Sequence, residues 1–375
     1  MKSQTCDVLI VGGGPAGSAC AWRLVQAGLD VVVMDKCKFP RQKVCAGWIT
    51  PQVVEALGID LADYAAVNVL QPIDAFRIGF LHGPAKEFSY PHTVSYGIRR
   101  YEFDDFLLRR SGARLMLGEP VTSIERRDGH WRVNGRLAAP LVIGAGGNFC
   151  PVARLLKDHD ASEPVVAAQE VEFEMDKKQQ AACRVRGEMP ELYFCPDLKG
   201  YGWCFLKGNY LNVGLGRQDT RKLGGHVHDF CDWLAESGRI EGGLQHRFRG
   251  HAYLLYGDGH RALTSDGLLL IGDAAGLAYA KSGEGIRPAI ESGLLAAQTV
   301  LECQPDYSQA NLMRYSDLLK RRFGRPSSLN LTRLLSPAMS QAMGRYMFLN
   351  DWFARHVLVE RWFLHIHQAP VMSYS

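Results

Sequence analysis

One glycine-rich segment near the N-terminus constrains the fold more than any other part of this chain. The apolar run Val8–Val11 predicts a buried strand, and it leads directly into residues 12–17, Gly-Gly-Gly-Pro-Ala-Gly, which have the spacing G-x-G-x-x-G. A helix is predicted over residues 15–27, followed by a second buried strand over residues 31–34 that ends on Asp35. Strand, glycine turn, helix, strand and acid in this order are typical of a dinucleotide-binding Rossmann unit.

Each part of this segment has a physical role in holding a dinucleotide. The first glycine permits a tight turn, the second lets the backbone approach a pyrophosphate, and the third lets the helix pack closely on the strand. The free N–H groups at the helix start favour phosphate, and the acid can accept hydrogen bonds from a ribose hydroxyl. The predicted cofactor contacts in this segment are Gly12, Gly14, Pro15, Ala16, Gly17, Asp35 and Lys36.

A second glycine-rich segment favours FAD over NAD as the dinucleotide. The apolar run 268–271 predicts another buried strand, which enters Gly-Asp-Ala-Ala-Gly at 272–276 and then Ser-Gly-Glu-Gly-Ile at 282–286. Asp273 would hold a polyol hydroxyl, and a helix that begins near residues 283–286 would stabilise an anionic reduced flavin ring. NAD has no ribityl chain for such an acid to hold, so we expect FAD.

These two segments resemble the flavin-binding motifs of the geranylgeranyl reductase family, which belongs to the FAD monooxygenase-like group with the p-hydroxybenzoate hydroxylase fold. Three further segments are similar to family motifs: Phe-Pro-Arg-Gln-Lys-Val-Cys-Ala-Gly at 39–47, Arg-x-x-Phe-Asp-x-x-Leu at 100–107, and Tyr-Gly-Trp-Cys-Phe-Leu-Lys-Gly at 201–208. The resemblance spans about residues 8–300. With the second glycine segment, it gives these further predicted FAD contacts: Cys45, Ala46, Arg100, Val121, Gly272, Asp273, Gly283, Gly285 and Ile286.

We therefore expect an α/β protein with a Rossmann-type FAD-binding domain, a β-rich (α+β) substrate domain and a helical C-terminal tail. A length of 375 residues is sufficient for two or three domains. By resemblance the FAD domain is discontinuous, and residues 73–90 join the antiparallel sheet of the substrate domain. The predicted boundaries are 1–72, 95–160 and 260–325 for the FAD domain, 73–94 and 161–259 for the substrate domain, and 326–375 for the tail.

The substrate side is predicted from one aromatic stripe. Tyr201, Trp203 and Phe205 are two residues apart on a predicted strand, so their side chains share one face. They either wall an apolar substrate cavity over the flavin or pack in an ordinary core. Cys45, beside the ring, is the candidate catalytic residue: its thiol would gate the site or donate a proton, unless it is simply a small residue that fits under the ring.

Other polar residues are weaker candidates. Lys207 and Lys281 are expected to be solvated surface lysines, with a role in favouring an anionic flavin or substrate as the alternative. His226, His228 and Asp229 lie in what reads as a glycine loop, and they offer too few ligands for a zinc site. We therefore expect no metal.

The family implies hydride transfer from flavin N5 to a carbon–carbon double bond of an isoprenoid or other apolar substrate. Monooxygenase or halogenase chemistry is one alternative, and a non-catalytic flavin- or lipid-binding protein is another. Gly146 stands where the hydroxylases carry aspartate, and the chain lacks the Trp-x-Trp-x-Ile-Pro segment of tryptophan halogenases. NADPH, ferredoxin or another electron-donor protein are left open as the source of electrons.

Composition bounds the partners and the location. The net charge is +4, and residues 311–375 carry nine basic and three acidic residues, which gives little support for nucleic-acid binding by the whole chain. The chain has no apolar run long enough for a membrane span and no signal-like start, so a cytoplasmic protein is expected. Aromatic and aliphatic residues recur at near-helical spacing over 345–367 and are mixed with Arg345, Arg355 and Arg361. This tail would pack on its own protein, close a lipid tunnel, or make peripheral contact with an anionic membrane.

Overall fold

The computed structural model describes residues 4–156, 165–219, 221–242, 244, 246–257, 261–324, 344, 346, 348 and 350–371. The strands are β1 (Gln4–Thr5), β2 (Val8–Val11), β3 (Val31–Asp35), β4 (Trp48–Ile49), β5 (Leu70–Ile73), β6 (Ala75–Phe80), β7 (Ala85–Ser89), β8 (Ser95–Ile98), β9 (Arg114–Leu117), β10 (Ile124–Arg127), β11 (His130–Val133), β12 (Leu137–Ala139), β13 (Leu141–Gly144), β14 (Val165–Glu174), β15 (Glu191–Phe194), β16 (Gly200–Lys207), β17 (Tyr210–Arg217), β18 (Arg249–Leu254), β19 (Thr264–Ser265) and β20 (Leu268–Leu270). The helices are α1 (Pro15–Gln26), α2 (Pro51–Leu57), α3 (Leu61–Ala65), α4 (Arg100–Arg110), α5 (Lys177–Ala182), α6 (Leu223–Glu236), α7 (Ile286–Cys303), α8 (Gln309–Phe323) and the π-type helix α9 (Phe353–Phe363).

A parallel sheet with the strand order β19-β20-β13-β2-β3-β9 forms the first layer, and only its edge strand β19 runs antiparallel. The apolar runs of β2, β13 and β20 are fully buried because helices α1, α7 and α8 share one core with this sheet. Helices α1 and α7 cross closely at Gly293, where a Cβ would lie 2.3 Å from the Ala16 carbonyl oxygen. This layer has the predicted Rossmann-type architecture.

A second, larger sheet has the order β18-β14-β17-β16-β15-β6-β7. Side chains along its strands point alternately into two apolar clusters, because successive side chains of a pleated strand lie on opposite faces of the sheet. Trp203 and Phe205 face one cluster, whereas Val213 and Tyr193 face another that includes α6. Residues 75–89 join this sheet as expected, but β6 pairs with β15 in parallel and not antiparallel.

Helix α6 corrects the reading of its histidines. His226, His228 and Asp229 lie inside this helix and not in a glycine loop. Val227, Phe230 and Leu234 are buried against the second sheet, and this apolar stripe is what makes the segment helical despite its two glycines.

The C-terminal segment packs on its own protein. Leu358, Val359 and Phe363 of α9 are buried in the aromatic cluster of the second sheet. Beyond α9, the carbonyl oxygens of His365 and Gln368 accept hydrogen bonds from Arg287 of α7, at 3.3 and 2.8 Å. The segment therefore spans both layers.

Within the described ranges, no helix combines the length and apolar character that crossing a bilayer requires. Tyr346 and Trp352 are 76% and 65% exposed, and peripheral membrane contact through them stays a prediction. The predicted fold class is confirmed: a Rossmann-type layer, a β-rich second layer and a helical C-terminal segment.

Candidate functional site

A cavity of about 350 Å³ lies between the two large sheets. It is lined by the turn between β2 and α1, the loop before β4, the start of α4, the strands β16 and β18, and the segment that leads into α7. Most of the residues predicted from sequence line this cavity: Gly14, Pro15, Ala16, Asp35, Lys36, Cys45, Ala46, Arg100, Tyr201, Trp203, Phe205, Asp273, Gly283, Gly285 and Ile286.

Four predicted contacts lie behind the lining. Gly12 has φ +118°, and a Cβ on Gly17 would lie 2.0 Å from the Gly12 carbonyl oxygen, so both glycines serve the close packing of helix on strand. Gly272 also contacts protein, because its Cβ would lie 2.9 Å from the side chain of Ala16. Val121 packs against the core of the parallel sheet, in the loop after β9.

The turn at Gly14 presents groups that could hold an anion. Among the described residues, a Cβ on Gly14 would contact only the Arg41 guanidinium, at an ordinary distance of 3.5 Å. Helix α1 begins immediately afterwards, with Pro15 in its first turn and no side chain that caps its free N–H groups. Uncapped N–H groups at a helix start and a nearby guanidinium are the donors that a pyrophosphate requires.

Asp35 is fixed at the end of β3. Its carboxylate accepts hydrogen bonds from the backbone N–H groups of Gly13 and Cys37, both at 2.8 Å. These two bonds orient the carboxylate toward the cavity rim and leave lone pairs for a further donor. A ribose hydroxyl is the group that the predicted motif would place there.

Asp273 lies in a charged group with Lys43 and His251. The Lys43 ammonium is 2.8 Å from His251 Nε2 and 3.9 Å from Asp273 Oδ2, and His251 Nε2 is 3.3 Å from the same carboxylate oxygen. Burial alone would raise the pKa of Asp273, but its polar contact with His251 and the charge of Lys43 outweigh it and lower that pKa to about 2. Asp273 is therefore a permanent acceptor for hydroxyl groups in the cavity.

Arg100 lines the cavity and is the first residue of α4. It donates to both carboxylate oxygens of Asp104, at 2.6 and 2.9 Å, and Arg41 lies 3.2 Å from the same carboxylate. Desolvation opposes the charge of Arg100, but Asp104 and Cys45 more than compensate and raise its pKa. Burial raises the pKa of the Cys45 thiol, although Arg100 acts in the opposite direction. Cys45 is therefore held as a thiol beside a fixed positive charge.

A buried polar network holds the loop that carries Cys45. Glu170 Oε2 accepts the Cys45 N–H at 2.7 Å, and the Asn212 side-chain amide donates to the Cys45 carbonyl at 3.1 Å. Lys207 donates to the carbonyl oxygens of Ala46 and Ile98, at 3.0 and 2.9 Å. The second sheet thereby fixes the backbone of this loop through its own buried side chains.

Lys207 corrects a sequence expectation. Its side chain is 1% exposed and forms a 2.6 Å ion pair with Glu172, so the prediction of a solvated lysine is wrong. Lys281 is exposed, as expected, and lies 5.7 Å from the centre of the Trp362 ring. The backbone carbonyls around Lys207 could not be foreseen from its place in a strand, because they belong to segments remote in sequence.

The paired carboxylates of β14 give opposite pH dependences. Burial raises the pKa of Glu170 from 4.5 to about 8. For Glu172, burial acts in the same direction, but Lys207, Asn212 and Arg99 outweigh it and lower its pKa. The stability contributed by Glu170 is thus fully present below its unfolded pKa and is lost as pH rises toward 8, whereas that of Glu172 is present above its unfolded pKa and is lost in acid.

We expect the variants Glu170→Gln and Glu172→Gln to separate these effects. Glutamine can still accept at position 170 and does not ionise, so wild-type stability should fall relative to Glu170→Gln between pH 5 and pH 8. Glu172→Gln should be less stable than wild type throughout this range. Urea unfolding at each pH measures both differences, and parallel pH profiles for wild type and Glu170→Gln would contradict the assignment.

The apolar side of the cavity is an aromatic wall. Trp203 and Phe205 are 5% and 1% exposed, and Trp48 stacks on Phe205 with ring centres 5.3 Å apart. The Trp203 indole N–H donates to Asn212 at 2.7 Å, and the Tyr201 hydroxyl donates to the Ser282 carbonyl. The wall is thus tied both to the network behind Cys45 and to the segment before α7.

Several lining or supporting residues were missed by sequence reasoning: Lys43, Glu170, Glu172, Asn212, His251 and Tyr253. The two glutamates carry a signal, because they alternate with Val171 and Phe173 on a strand and must share the face opposite those apolar residues. His251 and Tyr253 share a face of β18 in the same way. Which face would meet the cavity depends on strand pairing, which the spacing does not reveal.

Comparisons with known proteins agree with this geometry. Residues 7–78 match the family model described as FAD dependent oxidoreductase. The chain is 30% identical to the menaquinone reductase of Mycolicibacterium smegmatis over 350 residues, which cover 86% of this chain and 82% of the relative. It is 25% identical over 334 residues to the digeranylgeranylglycerophospholipid reductase of Methanocaldococcus jannaschii, covering 84% and 82% of the two chains.

A solved structure of a geranylgeranyl bacteriochlorophyll reductase-like protein from Thermoplasma acidophilum has the same fold, with a TM-score of 0.75 at 25% identity and coverage of 91% and 90%. The residues present fit FAD, since Gly14 places no side chain over the uncapped start of α1 and Asp273 is an ionised acceptor further along the same cavity. FAD is the cofactor. The chain belongs to the geranylgeranyl reductase family of FAD-dependent oxidoreductases.

Proposed function

We propose that this protein reduces a carbon–carbon double bond in the polyprenyl chain of an apolar substrate. Menaquinone and digeranylgeranylglycerophospholipid, the compounds in the names of the two relatives, both carry polyprenyl chains. The observation that carries the proposal is the aromatic wall, which meets the segment 282–286 within one cavity. Such a wall gains free energy by burying hydrocarbon and keeps water from the reacting carbons.

We assign the two ends of the cavity to cofactor and substrate as part of this proposal. The cradle at Gly14 would hold the pyrophosphate, Asp35 a ribose hydroxyl and Asp273 the ribityl chain, with the first turn of α7 against the ring. When bound and reduced, FAD supplies a hydride to such a double bond. Residues 1–72, 95–160 and 260–325 would form the cofactor domain, and residues 73–94 and 161–259 would form the substrate domain.

The chain's own residues would orient the substrate and handle the proton. Tyr201, Trp203 and Phe205 would hold the prenyl chain against the ring. Cys45, whose thiol is kept neutral by burial and lies in a loop fixed by Glu170 and Asn212, would gate the site or donate the second hydrogen as a proton.

An anaerobic turnover experiment tests the proposal. The FAD-bound protein is reduced with dithionite under argon and mixed with a geranylgeranyl compound, and the product is analysed by mass spectrometry. We expect a gain of two hydrogens for each saturated double bond, and no product from the oxidised protein. Product that forms only with oxygen would support a monooxygenase, product that needs both oxygen and halide a halogenase, and a flavin that no donor reduces would support a non-catalytic binding protein.

A further inference from the structure

The last residue of α9 lies directly behind the aromatic wall. Phe363 is 1% exposed, and its ring centre lies 5.7 Å from that of Trp48 and 5.5 Å from that of Tyr201. Both contacts are edge-to-face, a preferred arrangement for packed aromatic rings. Trp48 and Tyr201 line the cavity, whereas Phe363 does not. Phe363 therefore occupies the space immediately beyond the apolar end of the cavity.

The backbone on both sides of Phe363 is held by contacts that do not involve its ring. Leu358 and Val359 bury α9 in the same cluster, and Arg287 fixes the backbone that follows through the carbonyl oxygens of His365 and Gln368. Arg287 is itself 1% exposed and paired with Glu291 at 2.8 Å. Removing the ring of Phe363 should thus leave the segment in place and leave space behind the wall.

We propose that Phe363 sets the maximum length of the prenyl chain that this protein accepts, because its ring fills the space behind Trp48 and Tyr201 at the apolar end of the cavity. The proposal rests on the function proposed above. Phe363 comes from the C-terminal segment, whereas the wall residues that it packs behind come from β4 and β16. A benzyl side chain and one isoprene unit have similar numbers of carbon atoms, so loss of the ring makes room for about one more unit.

The test measures binding and not turnover. FAD-bound wild type, Phe363→Ala and Phe363→Trp are mixed with all-trans prenyl alcohols of increasing length at a fixed detergent concentration, and the ligand-induced shift in unfolding temperature is recorded. We expect wild type to show a length beyond which binding falls. Phe363→Ala should bind the first excluded length about tenfold more tightly, and Phe363→Trp should move the limit to a shorter chain.

Phe348→Ala is the matched control. Phe348 belongs to the same C-terminal segment and is 4% exposed, but its ring contacts Phe80 at 4.8 Å and Phe194 at 6.3 Å, neither of which lines the cavity. This variant should lose stability and keep the wild-type limit.

The outcomes distinguish a failure of the Phe363 inference from a failure of the proposed function. An unchanged limit in Phe363→Ala and Phe363→Trp, or an equal change in Phe348→Ala, would overturn the role of Phe363 while the proposed function stands. A wild-type protein that binds no prenyl alcohol of any length would overturn the proposed function, and this inference with it. If Phe363→Ala does not fold, the shorter limit expected for Phe363→Trp still decides the question.

Discussion

Replacing Gly14 by glutamate should yield folded protein that has lost FAD. The Cβ of residue 14 would make an ordinary contact with the Arg41 guanidinium, at 3.5 Å, so the substitution creates no clash with the described part of the protein. The added carboxylate would lie in the pyrophosphate cradle, where a like-charge pair about 4 Å apart costs about 4 kcal/mol at an effective dielectric constant of 20. We therefore expect FAD affinity to fall by about a thousandfold, which the flavin absorbance of the purified protein measures directly.

Gly225→Glu is the control for this substitution. Gly225 is an exposed residue of α6 with nothing within 4 Å of its Cβ position, and glutamate is the better helix former there. This variant should retain FAD, and the circular dichroism of both variants should match that of wild type. A yellow, FAD-saturated Gly14→Glu protein would mean that the pyrophosphate is not bound at this turn.

The glycine turn illustrates what could be predicted from sequence. Gly12, Gly14 and Gly17 follow local rules, because the turn, the helix start and the strand before it are neighbours in the chain. The same holds for Asp273 at the end of β20. Local order along the chain was sufficient to predict the Rossmann-type fold and most of the residues of these two glycine segments that line the cavity.

The substrate side depends on contacts between distant segments, which local patterns do not contain. Lys207 reads as an exposed strand residue, yet it is buried because the loops at Ala46 and Ile98 close over it. Likewise, His251 reaches Asp273 only because β18 pairs with β14 at the edge of the second sheet. Such contacts follow from sheet order, which one sequence leaves undetermined.

Lys207→Met should be among the most destabilising single substitutions in this chain. Methionine nearly matches lysine in length but donates no hydrogen bond, so Glu172 loses its 2.6 Å partner and the carbonyls of Ala46 and Ile98 lose a donor. Breaking a buried ion pair from one side costs about 3–5 kcal/mol. We expect a loss of this size at pH 8 in urea unfolding, and faster reaction of Cys45 with a thiol reagent as its loop loosens.

Lys281→Met is the matched control, because Lys281 is exposed. Within the described part of the chain, its one recorded contact is with the Trp362 ring. It should change stability by about 0.5 kcal/mol or less. The same stability for the two methionine variants would show that Lys207 is not a buried structural charge.

The stability loss of Lys207→Met should depend on pH. In wild type, Lys207 helps to hold the pKa of Glu172 below its usual value of 4.5. The Lys207–Glu172 ion pair therefore stabilises the folded protein at pH values above that value. Without Lys207, burial dominates, the pKa of Glu172 rises, and the folded variant takes up a proton that the unfolded chain releases. The stability difference between wild type and Lys207→Met should therefore shrink as pH falls from 8 to 5. Adding Glu172→Gln to Lys207→Met should recover part of the loss at pH 8, because it removes the unpaired charge that causes it.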